Sequence, residues 1–178
     1  MWLTGLPSSG KSTLAGHLAR ELARRGRRVE LLDGDEVRRK LTRPLGFSRE
    51  DRDENVRRVA YVAGLLARHG VLVVVAMISP YRAVRAEARA EIGAFLEVHV
   101  ACGTDECIRR DVKGLYRRAL AGEIANFTGV SDPYEPPEQP DLVVQTDRES
   151  EAESLGKLLG LLEQRGYVEG GAGVAWTT

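Results

Sequence analysis

Apolar residues in this chain follow two patterns, short continuous runs and longer stretches with helical spacing. The short runs predict five strands, at residues 1–3, 29–32, 71–77, 96–100 and 142–144. Between the runs, apolar residues recur every three or four positions, which predicts amphipathic helices. Strands that alternate with helices form a parallel sheet joined by right-handed crossovers. The pattern therefore predicts an α/β fold in which helices cover both faces of a five-stranded parallel sheet.

The helical stretches are predicted after the first strand and then at 37–41, 49–68, 83–92, 105–119 and 150–165. Ser48 is expected to cap the helix at 49–68, and either Thr104 or Asp105 to cap the helix that continues to residue 119. Residues 122–140 are rich in glycine, proline, asparagine and aspartate. A loop of this length inside a compact domain is usually functional or disordered.

A glycine-rich loop joins the first strand to the first helix. Residues 5–12 fit G-x-x-x-x-G-K-[ST], the phosphate-binding pattern, in the strand-to-helix context that the pattern requires. The backbone N–H groups of such a loop and the N-terminus of the following helix attract phosphate oxygens. Lys11 is predicted to reach the β- and γ-phosphates, and the Ser12 hydroxyl to bind Mg²⁺. The predicted nucleoside triphosphate contacts are Gly5, Leu6, Pro7, Ser8, Ser9, Gly10, Lys11, Ser12 and Thr13.

Composition narrows the class of protein. The 178 residues predict one domain, over 1–168, with a flexible tail at 169–178. Lysine plus arginine equals aspartate plus glutamate, 26 each, so bulk charge gives no indication of a nucleic-acid partner. Cys102 and Cys107 are too few for a disulfide framework, and reduced thiols are favoured over a regulatory disulfide. With no membrane-length apolar run and no signal peptide, we expect a cytoplasmic enzyme without membrane contact.

The positions of the acidic residues help to distinguish the classes of nucleotide-binding protein that share this phosphate loop. Many P-loop ATPases and GTPases hold magnesium with an aspartate at the end of an apolar strand, whereas the run at 71–77 leads into Ile78 and Ser79. Asp33 and Asp35 instead follow the second strand, at the sheet edge where ligands bind. This favours a small-molecule kinase over motors, switches and transporters. The nearby arginines predict an anionic acceptor; they are Arg38, Arg52 and Arg82.

Several further blocks resemble adenylylsulfate kinases, which phosphorylate the 3′-hydroxyl of adenosine 5′-phosphosulfate (APS). They follow the phosphate loop in that family's order and lie at 32–38, 45–58, 78–82, 111–116, 122–129 and 132–137. The resemblance covers residues 1 to about 147. It implies a P-loop kinase fold, ATP and Mg²⁺ as cofactors, and APS as the small-molecule partner. Members of this family are commonly dimeric, and the sequence leaves open both a homodimer and an association with an ATP sulfurylase.

The resemblance assigns roles on the acceptor side. Phe47 and Phe127 would stack on the two faces of the APS adenine, because aromatic stacking gives affinity without hydrogen bonds. Arg38 and Arg52 would hold the phosphosulfate, with Asn55 hydrogen-bonding nearby. The implied acceptor site comprises Asp33, Asp35, Arg38, Phe47, Arg52, Asn55, Ile78, Ser79, Lys113, Leu115 and Phe127.

The implied catalytic set is Lys11, Asp35, Ser79 and Lys113. Asp35 would act on the 3′-hydroxyl as a base or as an orienting acceptor. Asp33 would bind magnesium through water or brace its loop, and the sequence leaves both roles open. Ser79 matches a position annotated in the family as a phosphoserine, but in-line transfer needs only positioning and charge, so we predict a hydrogen bond to the acceptor or to metal-bound water. Lys113 and the ATP-binding Arg110 would lie on a lid that closes over the phosphates.

The sequence also departs from the family pattern. Glu36 stands where the family often has asparagine, and residues 102–105 replace a more usual proline-containing turn. The segment that most members carry before the first strand is not found here, so any substrate ordering or dimer contacts that it makes remain open. Two alternatives therefore stay open. One is a kinase of the same architecture acting on a different hydroxyl, and the other is a nucleotide-binding regulatory subunit complexed with a sulfurylase.

Overall fold

The computed structural model describes residues 1–169, and five strands form its single parallel sheet. The strands are β1 (Trp2–Thr4), β2 (Val29–Asp33), β3 (Leu72–Ala76), β4 (Glu97–Ala101) and β5 (Leu142–Gln145). Their order in the sheet is β2-β3-β1-β4-β5, and every neighbouring pair is parallel. The predicted α/β fold class with a five-stranded parallel sheet is confirmed.

Seven helices connect or follow these strands within residues 1–169. They are α1 (Lys11–Arg24), α2 (Gly34–Lys40), α3 (Arg49–Arg68), α4 (Arg82–Ile92), α5 (Thr104–Arg110), α6 (Leu115–Leu120) and α7 (Glu151–Gln164). Ser48 caps α3, as predicted, by accepting a hydrogen bond from the backbone N–H of Asp51. A reciprocal capping box between Ser150 and Glu153 starts α7.

Two apolar clusters lie on opposite faces of the sheet. On one face, α1 and α7 pack against alternate strand residues such as Leu3, Val74 and Val98. On the other face, α3 and α4 pack against the intervening ones, including Trp2 and Val75. Successive side chains of a strand point to opposite faces, so a sheet covered on both sides has strands that are apolar throughout. This explains the uninterrupted apolar run that the sequence shows in β3.

A third apolar cluster joins two loops and two helices. Its buried members are Cys107, Tyr116, Ala119 and Phe127, and Leu6 of the phosphate loop packs against them. We call it the lid cluster. It connects the phosphate loop, helices α5 and α6, and the loop that carries Phe127.

The predicted continuous helix at 105–119 is wrong. Helix α5 ends at Arg110, and α6 begins at Leu115 after Gly114, which has a left-handed φ of 65°. The Asp111 carboxylate accepts hydrogen bonds from the backbone N–H groups of Tyr116 and Arg117. A side chain that satisfies the free N–H groups of a new helix competes with continuation of the old one. The predicted cap is also displaced, because Gly103 is the N-cap and Thr104 and Asp105 already belong to α5.

Other sequence predictions need smaller adjustments. The helix predicted at 37–41 begins earlier, because Gly34 and Asp35 already belong to α2, with Asp33 as its N-cap. Cys102 and Cys107 are free thiols, as predicted. Among residues 1–169, no helix combines the length and apolarity needed to cross a membrane. The predicted tail at 169–178 lies, from residue 170 onward, outside the described residues.

Candidate active site

A cavity of about 670 Å³ opens at the carboxyl ends of the strands. Its walls come from the phosphate loop, the start of α2, the turn after β3, the segment before α6 and the loop around Phe127. Most of the predicted site residues line it. The exceptions are Gly5, Leu6 and Ser9. Arg82, which was predicted near an anionic acceptor, also lies outside the cavity, because its guanidinium pairs with Glu138. The structure therefore brings the donor and acceptor predictions into one cavity.

The phosphate loop is shaped partly by its neighbours in the sheet. A Cβ atom on Gly5 would lie 2.4 Å from the Val100 carbonyl oxygen in β4, so only glycine fits there. Gly10 has a left-handed φ of 91° at the start of α1. After β5, the Thr146 hydroxyl donates a hydrogen bond to the Ser9 carbonyl at 2.8 Å. The loop is thus held from outside as well as by its own turn.

Lys11 is buried and folds back onto the loop. Its Nζ donates to the carbonyl oxygens of Gly5 and Leu6, at 3.0 and 2.7 Å. Burial lowers the pKa of Lys11 to about 8. The ammonium group therefore lies inside the loop, where phosphate oxygens would be better partners than neutral carbonyls.

Ser12 and Asp33 form a pair of oxygen ligands beside the loop. The Ser12 hydroxyl donates to Asp33 Oδ2 at 2.6 Å, and Asp33 Oδ1 accepts from the backbone N–H of Asp35 at 3.0 Å. Asp33 therefore does brace its turn, which was one of its two predicted roles. A hydroxyl and a carboxylate oxygen side by side also fit Mg²⁺, which binds one or two carboxylates together with substrate phosphates.

Asp35 and Lys113 meet across the cavity. The Lys113 ammonium donates to the Asp35 carboxylate, although the two residues lie 78 positions apart in the chain. Both side chains are more than half exposed, so the pair is accessible to a ligand. This contact joins the segment between α5 and α6 to the carboxylate predicted to act on the acceptor hydroxyl.

The two predicted stacking residues have different surroundings. Phe47 is 58% exposed, and the Arg38 guanidinium carbon lies 4.4 Å from its ring centroid. Phe127 is 8% exposed and packs edge-on against Tyr116, with ring centroids 5.0 Å apart. Burial, followed by the nearby Arg52 charge, lowers the pKa of Arg38. The Arg52 guanidinium carbon lies 5.7 Å from the same Phe47 centroid, so two arginines contact this ring.

Arg52 ties the two aromatic loops together. Its Nε donates to the Phe47 carbonyl at 2.9 Å, and its Nη1 donates to the Thr128 hydroxyl at 2.8 Å. Its Nη2 donates to the Asn126 carbonyl.

Asn55, one turn further along α3, accepts at Oδ1 from the Thr42 hydroxyl at 2.6 Å. Within residues 1–169 its amide nitrogen has no acceptor, so this group is available to a ligand.

Ser79 and Ile78 line the cavity immediately after β3. Ser79 is buried and has a left-handed φ of 44°, which is uncommon for a residue with a side chain. Its hydroxyl oxygen accepts a hydrogen bond from Trp2 Nε1 at 3.0 Å. The Ile78 carbonyl accepts from the Thr4 hydroxyl at 2.6 Å.

Arg110 and Leu115 complete the predicted set. Arg110 Nη2 donates to the Thr146 carbonyl at 2.6 Å, and its Nε donates to Glu106 at 2.8 Å. Leu115 lines the cavity and packs against the lid cluster. Arg110 ends α5 and Leu115 begins α6, so the two residues flank the 111–114 segment.

Comparison with known proteins agrees with this arrangement. Residues 1–145 match the family model described as adenylylsulphate kinase. The chain belongs to the adenylylsulphate kinase family. It is 54% identical over 168 residues to the adenylyl-sulfate kinase of Gloeothece citriformis, covering 94% of this chain and 96% of that protein.

Two further members of the adenylylsulphate kinase family extend the comparison. The probable bifunctional SAT/APS kinase 2 of Sorangium cellulosum is 56% identical over 176 residues, which cover 98% of this chain but 30% of that protein. The structure of the Mycobacterium tuberculosis APS kinase CysC in complex with AMPPNP and APS superposes with a TM-score of 0.87 at 44% identity. That match covers 91% of this chain and 95% of the other.

For this adenylylsulphate kinase family member, sequence reasoning missed residues that hold the site together. Thr146 bonds Ser9, Thr128 bonds Arg52, and Tyr116 packs on Phe127. Thr146 directly follows the last strand, and that position at the sheet edge is a usable signal. No local pattern marks Trp2, whose contact with Ser79 spans 77 positions.

Proposed function

We propose that this chain is an ATP-dependent adenylylsulfate kinase. It transfers the γ-phosphoryl group of ATP to the 3′-hydroxyl of APS, giving 3′-phosphoadenosine 5′-phosphosulfate and ADP. The observation that carries the proposal is that the phosphate loop and the acceptor residues open into one cavity, with Asp35 and Lys113 in contact between them. The M. tuberculosis relative, with AMPPNP and APS named as its ligands, supports the same pairing of substrates.

On the donor side, the phosphate loop and Lys11 bind and orient the triphosphate. Lys11 exchanges the Gly5 and Leu6 carbonyls for the β- and γ-phosphate oxygens, a charge-assisted interaction that is stronger than the one it replaces. Arg110 lies beside Thr146 at the same end of the cavity and serves as a further ATP contact. Lys11 then stabilises the negative charge that is spread over the transferring group.

Ser12 and Asp33 would hold Mg²⁺, Ser12 directly and Asp33 through water. When bound, the ion supplies neutralisation of charge on the phosphate oxygens. The 2.6 Å contact between the two side chains supports this assignment, since it gathers hard oxygen ligands next to the phosphate loop.

On the acceptor side, Asp35 orients the 3′-hydroxyl and takes its proton. Lys113 leaves Asp35 for the transferring phosphoryl group, which frees the carboxylate at the moment the hydroxyl needs an acceptor. Phe47 and Phe127 stack on the adenine, while Arg38, Arg52 and Asn55 face the phosphosulfate. Ile78 and Ser79 bind the acceptor with hydrogen bonds, and Ser79 forms no covalent intermediate.

The deciding assay supplies purified protein, Mg-ATP and APS, and detects 3′-phosphorylated product by chromatography and mass spectrometry. Replacing Asp35 by Asn should lower kcat by about 10²- to 10⁴-fold, the usual contribution of a general base. An Asp105→Asn variant is the matched control, since Asp105 is exposed on α5 and outside the cavity. Turnover of another nucleoside or of a sugar, without turnover of APS, would contradict the proposal.

The alternative of a different acceptor hydroxyl rests on two observations, the extra charge of Glu36 and the segment not found before the first strand, and the structure bears on the first. The Glu36 carboxylate accepts a hydrogen bond from Lys40 at 2.6 Å, and Glu36 does not line the cavity. The charge is thus partly neutralised away from the acceptor. This favours APS over a different acceptor molecule.

The second alternative, a regulatory subunit, predicts that Asp35→Asn leaves the biological role intact. The Asp35→Asn variant therefore tests this alternative as well.

We further propose a cytoplasmic homodimer that associates with an ATP sulfurylase. The two free thiols support a reducing compartment. The S. cellulosum relative, whose name joins SAT to APS kinase, supports the association. Light scattering of the purified protein, alone and mixed with a sulfurylase, measures both assemblies.

A further inference from the structure

The block at 132–137, which the acceptor assignment leaves without a role, packs across the turn at Ile78–Pro80. Glu135 N–H donates to the Pro80 carbonyl at 2.8 Å, and its carboxylate accepts from the backbone N–H of Arg82 at 2.7 Å. The Tyr81 hydroxyl donates to Asp132 at 2.8 Å. These contacts fasten the block to the turn, and neither Tyr134 nor Glu135 lines the cavity.

A buried arginine locks the two segments together. The Arg85 side chain is 2% exposed, and its charge is paired with Glu97 at 2.7 Å. Its Nη1 donates to the Ser79 carbonyl and its Nη2 to the Glu135 carbonyl, both at 2.7 Å. All three guanidinium nitrogens are therefore engaged, each with an acceptor on a different segment.

A second set of hydrogen bonds fixes the peptide group between Ile78 and Ser79. The Thr4 hydroxyl has one proton, which goes to the Ile78 carbonyl at 2.6 Å, so the Tyr134 hydroxyl, 3.0 Å away, must donate to Thr4. Because a trans peptide is planar, the N–H of Ser79 points opposite to the Ile78 carbonyl. Tyr134 and Thr4 thus set the direction of the Ser79 N–H, while Arg85 sets the peptide group on its other side.

These anchors explain why Ser79 has a left-handed φ without being glycine. They also leave donors free. Within residues 1–169 the backbone N–H groups of Ile78 and Ser79 have no protein acceptor, although both residues line the cavity. Successive free N–H groups beside a left-handed residue commonly form an anion-binding concavity.

We propose that Arg85, together with the Tyr134–Thr4 pair, is a positioning residue that fixes the Ser79 backbone so that its N–H binds the anionic part of the acceptor. The inference rests on the proposed function for the identity of that acceptor. Arg85 does not touch substrate itself. Its effect should therefore fall on acceptor binding and spare ATP.

The test compares Arg85→Lys with Arg89→Lys. Lysine keeps the charge at position 85 but cannot reach three acceptors at once. Arg89, one turn further along α4, also pairs with Glu97 and bonds Asp141, but it makes no contact with the turn. Arg85→Lys should raise the KM for APS by about tenfold with less than a twofold change in the KM for ATP. Arg89→Lys should leave both KM values near those of wild type.

Equal kinetics for wild type and Arg85→Lys would overturn the inference. It would also be overturned if Arg85→Lys and Arg89→Lys raised the KM for APS and the KM for ATP to the same extent. If Arg85→Lys does not fold, Tyr134→Phe decides, because it removes one hydroxyl at constant shape. An unchanged KM for APS in that variant would refute the positioning role. If wild type does not convert APS, the proposed function fails, and calorimetric APS binding in the presence of ADP then compares the same variants.

Discussion

At the scale of single residues, two phenylalanines with the same predicted role are set differently. Phe47 is mostly exposed and is held by the Arg38 guanidinium on one face. Phe127 is buried in the lid cluster and contacts Tyr116. Phe47 therefore adds little to the apolar core, whereas Phe127 is part of it. Substitution should separate their effects on ligand binding and on stability.

Phe47→Ala should weaken APS binding by about 1–3 kcal/mol, the usual loss for one stacked base. Its free energy of unfolding should change by less than about 0.5 kcal/mol, as for other exposed positions. Phe127→Ala should weaken APS binding similarly but also lower stability by about 3–5 kcal/mol, because it opens a cavity. Calorimetric titration with APS and urea denaturation measure the two effects. Equal stability losses in the two variants would contradict the assignment.

Lys11 should make nucleotide binding depend on pH. Its pKa of about 8 lies below the ordinary value of 10.5, and bound phosphates should raise it again. At about pH 8.5 a lysine with this pKa is roughly three-quarters neutral, so binding of ATP should take up roughly 0.7 proton. At about pH 6.5 the uptake should be near zero. Calorimetry in buffers of different ionisation enthalpy counts the protons, and Lys11→Met should abolish the uptake.

The same pKa fixes the sign of a stability effect. Because the folded value lies below the unfolded one, the charged Lys11 opposes folding below about pH 8. This cost disappears as the pH rises from about 8 toward 10.5. Relative to Lys11→Met, wild type should therefore gain stability across that window, and a constant difference between the two proteins would contradict the shift.

At the scale of elements, the phosphate loop depends on the strand beside it. The pattern G-x-x-x-x-G-K-[ST] attributes its glycines to phosphate binding. The first glycine has another reason here, since the β4 carbonyl of Val100 occupies the space that a side chain would need. The strand and the loop must therefore pack correctly before the loop can bind anything.

Gly5→Ala should lower the free energy of unfolding by about 1–3 kcal/mol or more, because the clash is with backbone that cannot turn aside. Gly16→Ala is the control. Gly16 lies inside α1, where a Cβ would meet only the end of the Arg20 side chain at 3.5 Å, so alanine should stabilise the helix by about 0.5–1 kcal/mol. Thermal unfolding of both variants measures the opposite signs. A stable Gly5→Ala protein would show that the sheet gives way at little cost.

At the scale of the whole molecule, the lid cluster connects the two halves of the active site. Leu6 belongs to the phosphate loop and Phe127 to the acceptor loop, and both pack with Tyr116 and Cys107. The Tyr116 hydroxyl also donates to the Pro7 carbonyl at 3.3 Å. A ligand that orders the phosphate loop should therefore stabilise the cluster as a unit.

The alkylation rate of Cys107 measures how readily this cluster opens. It is fully buried, and burial raises the pKa of its thiol to about 12, so alkylation requires the cluster to open. In a Cys102→Ser background, Mg-ATP at 100 times its Kd should slow alkylation by up to about 100-fold. Mass spectrometry of the modified peptide gives the rates. A rate that ATP does not change would show that the cluster opens independently of the phosphate loop.

The amino-acid sequence by itself determined the alternation of strands and helices, the phosphate loop, and the family blocks that carry most of the site residues. Those features depend on local spacing, which a linear pattern displays directly. The sequence did not determine the break between α5 and α6, because the Asp111 carboxylate competes with helix continuation through contacts that spacing does not reveal.

Only the tertiary structure decided how those residues are held. The Trp2 contact with Ser79, the Arg85 bond to Glu135 and the approach of Val100 to Gly5 join segments 50 to 95 positions apart. Such contacts are made by strands and loops that meet at one sheet edge, and they leave no periodic signal along the chain. The sequence therefore indicated which residue types form the site, and tertiary packing determined how they are arranged.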